Sequence, residues 1–268
     1  MTSHSPHDNE WVYSTIVTRR LKLTALNEVI HSIPSVSHPF EIFIFSCGYA
    51  FNPVMFPLWL CVIHALSRNS LEYGPLTTNK LSDMFWGKWR EYLQTIHIEK
   101  AAWINTAFYF TSVLITLVFT ELAKASFATT RPQSPLANTG TIISNQNGNS
   151  NSNNNAQQCV WTRRYGSLVS SLKSKHSFPS GDCAQAMNLC MFLYRYVPVS
   201  SPKTALLAFP IRDWLFFGLF LPGVAFARVF YWCHWIEDCI GGALLAFLLH
   251  WLFIPNIGKM MIEIIQYR

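Results

Sequence analysis

The residues best suited to chemistry stand together in Arg228-Val-Phe-Tyr-Trp-Cys-His234-Trp-Ile-Glu-Asp238, between two strongly apolar runs. If this stretch is helical, His234 and Asp238 lie four residues apart on one face, where the carboxylate can hold one imidazole nitrogen and leave the other free. An imidazole aimed in that way serves as a nucleophile or a base. The same three charges also suit the interfacial ends of membrane helices, so this stretch alone leaves both readings open.

Two further stretches bear on the choice. Lys124-Ala-Ser-Phe-Ala-Thr-Thr-Arg131-Pro132 follows an apolar run, and Phe178-Pro179-Ser180-Gly181-Asp182 precedes another. A phosphate ester carries up to two negative charges, and more reaches its equatorial oxygens during phosphoryl transfer, so its site needs fixed cations and N–H donors. Lys124, Arg131 and Arg228 supply cations and Ser180 a hydroxyl, while Gly181 lets backbone N–H groups approach at the start of a helix. Cations this close to hydrocarbon are costly unless paired or functional, so three from separate segments favour a phosphate pocket. Taken by itself, Ser180-Gly181 reads more simply as a helix N-cap and turn.

In chain order, K-x6-R-P, P-S-G-x and R-x5-H-x3-D resemble the three signature motifs of the type 2 phosphatidic-acid phosphatase superfamily, which includes lipid phosphate phosphatases and vanadium haloperoxidases. The Ser-Phe-Pro-Ser-Gly run and the turn into the last helix are most similar to the short polyisoprenoid phosphate phosphatases. The resemblance implies that His234 attacks phosphorus to form a phosphohistidine, with Asp238 fixing its tautomer. It further implies that Lys124, Arg131, Arg228, Ser180 and Gly181 bind the transferring phosphoryl group, that water then releases phosphate, and that no metal or other cofactor takes part.

Two departures from the family pattern matter. Ala227 precedes Arg228 where the family usually has Ser, and the lost hydroxyl weakens a supporting hydrogen bond without removing a reactive group. Asp182 replaces the histidine that protonates the leaving group, and an ordinary aspartic acid ionises about 3 pH units below neutrality. Three outcomes stay open. Asp182 is held protonated by desolvation, against the pull of the cations around it. Or it is ionised and the substrate is a lipid diphosphate, whose phosphate leaving group is stable as an anion. Or the pocket binds phospholipid without turnover. In the second case the missing acid, normally worth about 10² to 10⁴ in rate, matters least, and the carboxylate can serve as base for the water that opens phosphohistidine. The expected substrate is thus a lipid phosphate or diphosphate, polyisoprenyl diphosphate first and phosphatidic acid next. The competing class is a catalytically silent relative that binds anionic phospholipid or a membrane partner. His176 is a secondary candidate for the acid. A haloperoxidase ranks lower, because such relatives are typically soluble, and a transporter or channel would leave the motif spacings as coincidence.

The elements that must position these residues are apolar. The chain has 268 residues, half of them hydrophobic, with 13% charged and 15% aromatic, which fits a multi-span membrane protein and excludes a disordered one. Its net charge of +6 is scattered among apolar runs, so a phosphate-bearing lipid is the expected partner and nucleic acid is not. Seven cysteines without metal-ligand spacing read as small buried apolar residues.

The expected fold is all-α, a transmembrane bundle of about five to six helices. Residues 1–38 form an N-terminal tail without a signal-peptide core, in which Trp11 to Ile33 reads either as an interfacial amphipathic helix or as a solvated tail. Residues 39–258 form the phosphatase domain and 259–268 a C-terminal tail. The expected spans are Phe40 to Leu66, broken near Asn52-Pro53; Ala101 to Leu122; a short Cys183 to Val199; Trp214 to Phe230; and Ile236 to Ile254. A count of five puts all three motifs on one side of the membrane. Between the first two motifs, 133–175 reads as a partly disordered insertion, with an Asn/Ser/Gln run at 145–158, and Phe85, Trp86 and Trp89 read as interfacial anchors. The expected location is the endoplasmic reticulum or another endomembrane, with the sidedness of the motif face open.

Overall fold

Apolar runs interrupted by polar or proline-bearing breaks become eight helices in the computed structural model, which describes residues 25–33, 36–73, 96–127, 129–132, 176–197 and 211–266. These are α1 (25–32), α2 (His38–Tyr49), α3 (Phe56–Tyr73), α4 (Ile98–Phe127), α5 (Gly181–Tyr196), α6 (Ile211–Phe230), α7 (Ile236–Leu252) and α8 (Ile254–Gln266). The anchors expected around Phe85 and the insertion at 133–175 lie outside the described residues.

The all-α expectation holds, and α4 and α6 are each long and apolar enough to cross a membrane. Two bent pairs, α2 with α3 and α7 with α8, bring the candidates to four if each pair is one span. The break expected near Asn52-Pro53 is an 83° bend. Asn52 accepts the Val54 N–H at 3.0 Å, and Pro57 sits in the first turn of α3, where its missing N–H removes no helical bond. The short third span expected over 183–199 corresponds to α5. Helix α5 has 16 residues, and its Gln185 and Asn188 are turned into the bundle, away from any lipid-facing surface. In α6, Pro222 cannot donate to the preceding turn, and the seven residues Trp214–Phe220 before it are π-helical.

Between membrane helices, close van der Waals fit and buried hydrogen bonds replace the water-driven hydrophobic effect. Small residues accordingly line the contacts: Ala101, Ala102, Ala184, Ala186, Ala227 and Ala246 are fully buried. Helix α5 packs on α4 and α7, with Phe108, Tyr109, Phe192 and Tyr196 interleaved edge to face or tilted. Inside that packing, Asn188 donates to Ser112 at 3.2 Å and bonds His250 at 2.7 Å. Leaving such groups unpaired in an apolar core would cost about 1–3 kcal/mol each. Of the described cysteines, Cys47, Cys183, Cys190, Cys233 and Cys239 are buried free thiols as expected, whereas Cys61 is exposed on α3.

Residues 25–32 are helical and turn one face to the bundle: Asn27 is 1% exposed, and Ile30 and Ile33 pack on a cluster drawn from α2, α5, α6 and α7, while Leu26 and Val29 face outward. The rest of the expected amphipathic stretch, from Trp11 to Thr24, is outside the described residues.

Candidate active site

The three motifs meet at one end of the bundle through backbone bonds that no side-chain pattern announces. After α4 the chain turns at Thr129, whose carbonyl accepts the Ser177 N–H at 2.9 Å and whose hydroxyl accepts the Phe178 N–H at 2.8 Å, joining the first motif to the second. Ser180 N–H donates to the Asp238 carbonyl at 2.9 Å, joining the second to the third. Gly242 makes that junction possible, since a Cβ there would collide with the Ser180 carbonyl and crowd the Ala184 amide. Arg131 Nη1 donates to the Cys233 carbonyl at 2.7 Å and Nη2 to that of His176 at 3.3 Å, so one guanidinium braces both later motifs.

His234 is not on a helix. It lies in the turn 231–235 between α6 and α7, which begins at Ile236, so the one-face spacing expected for His234 and Asp238 does not apply. Asp238 sits instead in the first turn of α7, where its Oδ2 accepts the Trp235 N–H at 2.9 Å and a short bond from the Ser177 hydroxyl. An acid at this position satisfies an orphan amide and suits the positive end of the helix. The imidazole is held mainly by a different group: His234 Nδ1 is 2.8 Å from the Ser177 carbonyl, and Asp238 Oδ2 is 3.8 Å away, close enough for charge attraction but too long for a hydrogen bond. A carbonyl only accepts, so Nδ1 carries the proton and Nε2 keeps its lone pair.

A cleft of about 320 Å³ opens here, walled by His234, Arg131, Arg228, Lys124, Gly181 and Asp182 among others. Burial pushes the His234 pKa down to about 4; Asp238 opposes this, and the Arg228 and Arg131 charges add to it. The ring is therefore neutral at physiological pH, as a nucleophile requires. Arg228 is buried, with Nη2 at 3.0 Å from Asp182 Oδ2 and Nη1 donating to the Gly48 carbonyl at 3.2 Å. The bend between α2 and α3 thus supplies a wall of the site.

Of the residues expected to hold phosphate, Lys124, Arg131, Arg228 and Gly181 share this cleft. Ser180 does not line it: it is fully buried, and its hydroxyl caps α5 by accepting from Cys183 N at 3.4 Å. Asp238 acts from behind the turn. Among the wall residues the sequence did not announce are Glu121 and Gln185, although Glu121, three residues before Lys124 on a helix, had a readable spacing. Its carboxylate is 2.6 Å from Lys124 Nζ. Gln185, one turn beyond Asp182, donates to the Val113 carbonyl at 3.3 Å and leaves its Oε1 without a partner among the described residues. Among the described residues, no three His, Cys, Asp or Glu side chains gather as a metal cluster.

The profile of the PAP2 superfamily matches residues 105–261, a stretch that contains all three motifs and every charged side chain named in the cleft. The chain belongs to the PAP2 superfamily. Membership carries phosphatase chemistry on phosphate esters, commonly lipid phosphates in membranes. No curated protein and no solved structure matches the chain. The Asp182 carboxylate, at the position expected to carry an acid, is ion-paired with the third-motif Arg228.

Proposed function

We propose that this protein is a membrane-embedded lipid phosphatase that hydrolyses a lipid phosphate or diphosphate, polyisoprenyl diphosphate before phosphatidic acid, through a phosphohistidine at His234. The observation that carries the reading is the aim of His234: Nδ1 is committed to the Ser177 carbonyl while the ring borders a cleft shared with three cationic side chains. In the first step Nε2 forms a bond to phosphorus as the bond from phosphorus to the leaving oxygen breaks, and Lys124, Arg131 and Arg228 offset the charge on the equatorial oxygens. In the second, a water oxygen attacks phosphorus, the N–P bond breaks with its electron pair returning to Nε2, and a carboxylate such as Asp182 takes the water proton.

The preference for a diphosphate rests on the Asp182–Arg228 pair at 3.0 Å. A carboxylate engaged in an ion pair with a guanidinium has no proton to give. A departing phosphate needs no such proton, whereas a departing alkoxide does. Asp182 is therefore a base for the second step and not an acid for the first. The same pair supports a second reading, a silent relative that binds anionic phospholipid or a membrane partner, because it offsets one of the three cations. Assay of the purified protein in a magnesium chelator with chain-matched lipid mono- and diphosphates separates these readings. Faster diphosphate hydrolysis is expected, faster monophosphate hydrolysis contradicts the substrate preference, and binding without hydrolysis of either supports the silent relative.

A further inference from the structure

The turn that carries His234 is held from outside by a segment some 200 residues away in sequence. Trp232 has φ 57, in the left-handed region that bulky residues avoid, so its neighbours must over-determine it. The neighbours are on α1. The His31 ring stacks on Trp232 at 3.8 Å with 11° between the planes, and its Nε2 is 3.1 Å from the Val229 carbonyl in the last turn of α6. Asn27, almost wholly buried, accepts the Ile236 N–H at 3.0 Å and donates to Glu237 at 3.2 Å, meeting donor and acceptor needs at the start of α7. Helix α1 thus binds both ends of the loop whose middle is His234. From the pocket side, Arg131 holds the Cys233 carbonyl.

We propose that α1 is a positioning element for the catalytic turn, with Asn27 and His31 as the positioning residues that keep Trp232 and Ile236 where His234 faces the cleft. The word catalytic rests on the phosphatase reading above; the mechanical role does not. Neither residue borders the cleft, so neither binds the phosphoryl group. Small displacements of a nucleophile are expensive, an error of about 1 Å costing on the order of 100-fold in rate. Loss of α1 contacts therefore lowers kcat more than it changes KM.

The test uses the full chain in lipid nanodiscs, with amide hydrogen exchange and turnover of farnesyl diphosphate measured on the same samples. His31→Ala and Asn27→Ala are each expected to speed exchange in the 230–238 peptide by about tenfold or more while α4 and α5 stay protected. They are also expected to lower kcat about tenfold with KM within about twofold. His31→Phe, which keeps a flat ring over Trp232, recovers most of both losses. Unchanged exchange at 230–238, or acceleration spread evenly over every helix, overturns the proposal. Localised acceleration in a protein whose wild type turns over no phosphate supports the positioning role and removes the phosphatase reading, so the two fail separately.

Discussion

Arg228 and Asp182 form an ion pair, Nη2 to Oδ2 at 3.0 Å, in the wall of the cleft that His234 borders. Under the proposed function, the position expected to hand a proton to the leaving oxygen holds a carboxylate paired with one of the cleft's three cations. Charge in the cleft is balanced more closely than its cations suggest: Lys124, Arg131 and Arg228 face Glu121 and Asp182.

Restoring a histidine should redirect the substrate preference. Asp182→His frees Arg228 for phosphate and supplies an acid worth about 10² to 10⁴ in rate on an alkoxide leaving group. The ratio of kcat/KM for a lipid monophosphate to that for the matched diphosphate is expected to rise at least about tenfold. An unchanged ratio means that the carboxylate does not set the preference.

The tether behind the nucleophile can be tested at Ser177. Its carbonyl fixes Nδ1 of His234 and its hydroxyl donates to Asp238. Ser177→Ala keeps the carbonyl and removes the hydroxyl, leaving a buried carboxylate one donor short, at about 1–3 kcal/mol. A lower midpoint of thermal unfolding and a reduced kcat with little change in KM are expected. Ser177→Thr, which retains the donor, should recover most of the rate.

Protonation of His234 gives a sign as well as a position. Burial holds its folded pKa at about 4, below the ordinary value near 6.5. Between these two values the unfolded chain binds a proton that the folded one refuses, so stability is full above the upper value and falls as pH drops towards the lower. The acid limb of kcat/KM, which reports the free enzyme, is expected near pH 4 to 5. A limb near 6.5 would indicate an exposed, ordinary imidazole.

The junction of the second and third motifs depends on a missing side chain. Gly242→Ala places a Cβ against the Ser180 carbonyl, and separating α5 from α7 enough to admit it is expected to cost about 1–3 kcal/mol. Reduced folded yield and slower turnover check this; a fully active, equally stable variant contradicts the close packing.

How much of this was legible in the sequence depends on what kind of group acts. Lys124, Arg131, Arg228 and His234 could be read because charges beside apolar runs are expensive and their order matches a family pattern. The break at Asn52-Pro53 could be read because proline cannot continue a helix. The Ser177 carbonyl could not, since a backbone acceptor leaves no mark in residue type. Nor could Asn27 and His31, whose partners lie 209 and 198 positions away. Ser180 had the right residue type for phosphate but is fully buried and caps α5 by accepting the orphan amide of Cys183. The helical spacing of His234 and Asp238 failed for a local reason: the turn before α7 folds back through Trp232, and the carboxylate is taken by the Trp235 amide and Ser177.

The central claim is that the unprotonated nitrogen of His234 bonds to phosphorus, and the most direct measurement is to trap it. Brief reaction of the purified protein with ³²P-labelled farnesyl diphosphate, followed by an alkaline quench and peptide mapping, should place an acid-labile, base-stable label on His234. It should be absent from His234→Ala and stronger in Asp182→Ala, where the base for the second step is gone. Turnover without label on this residue, or label that survives in His234→Ala, would contradict the account.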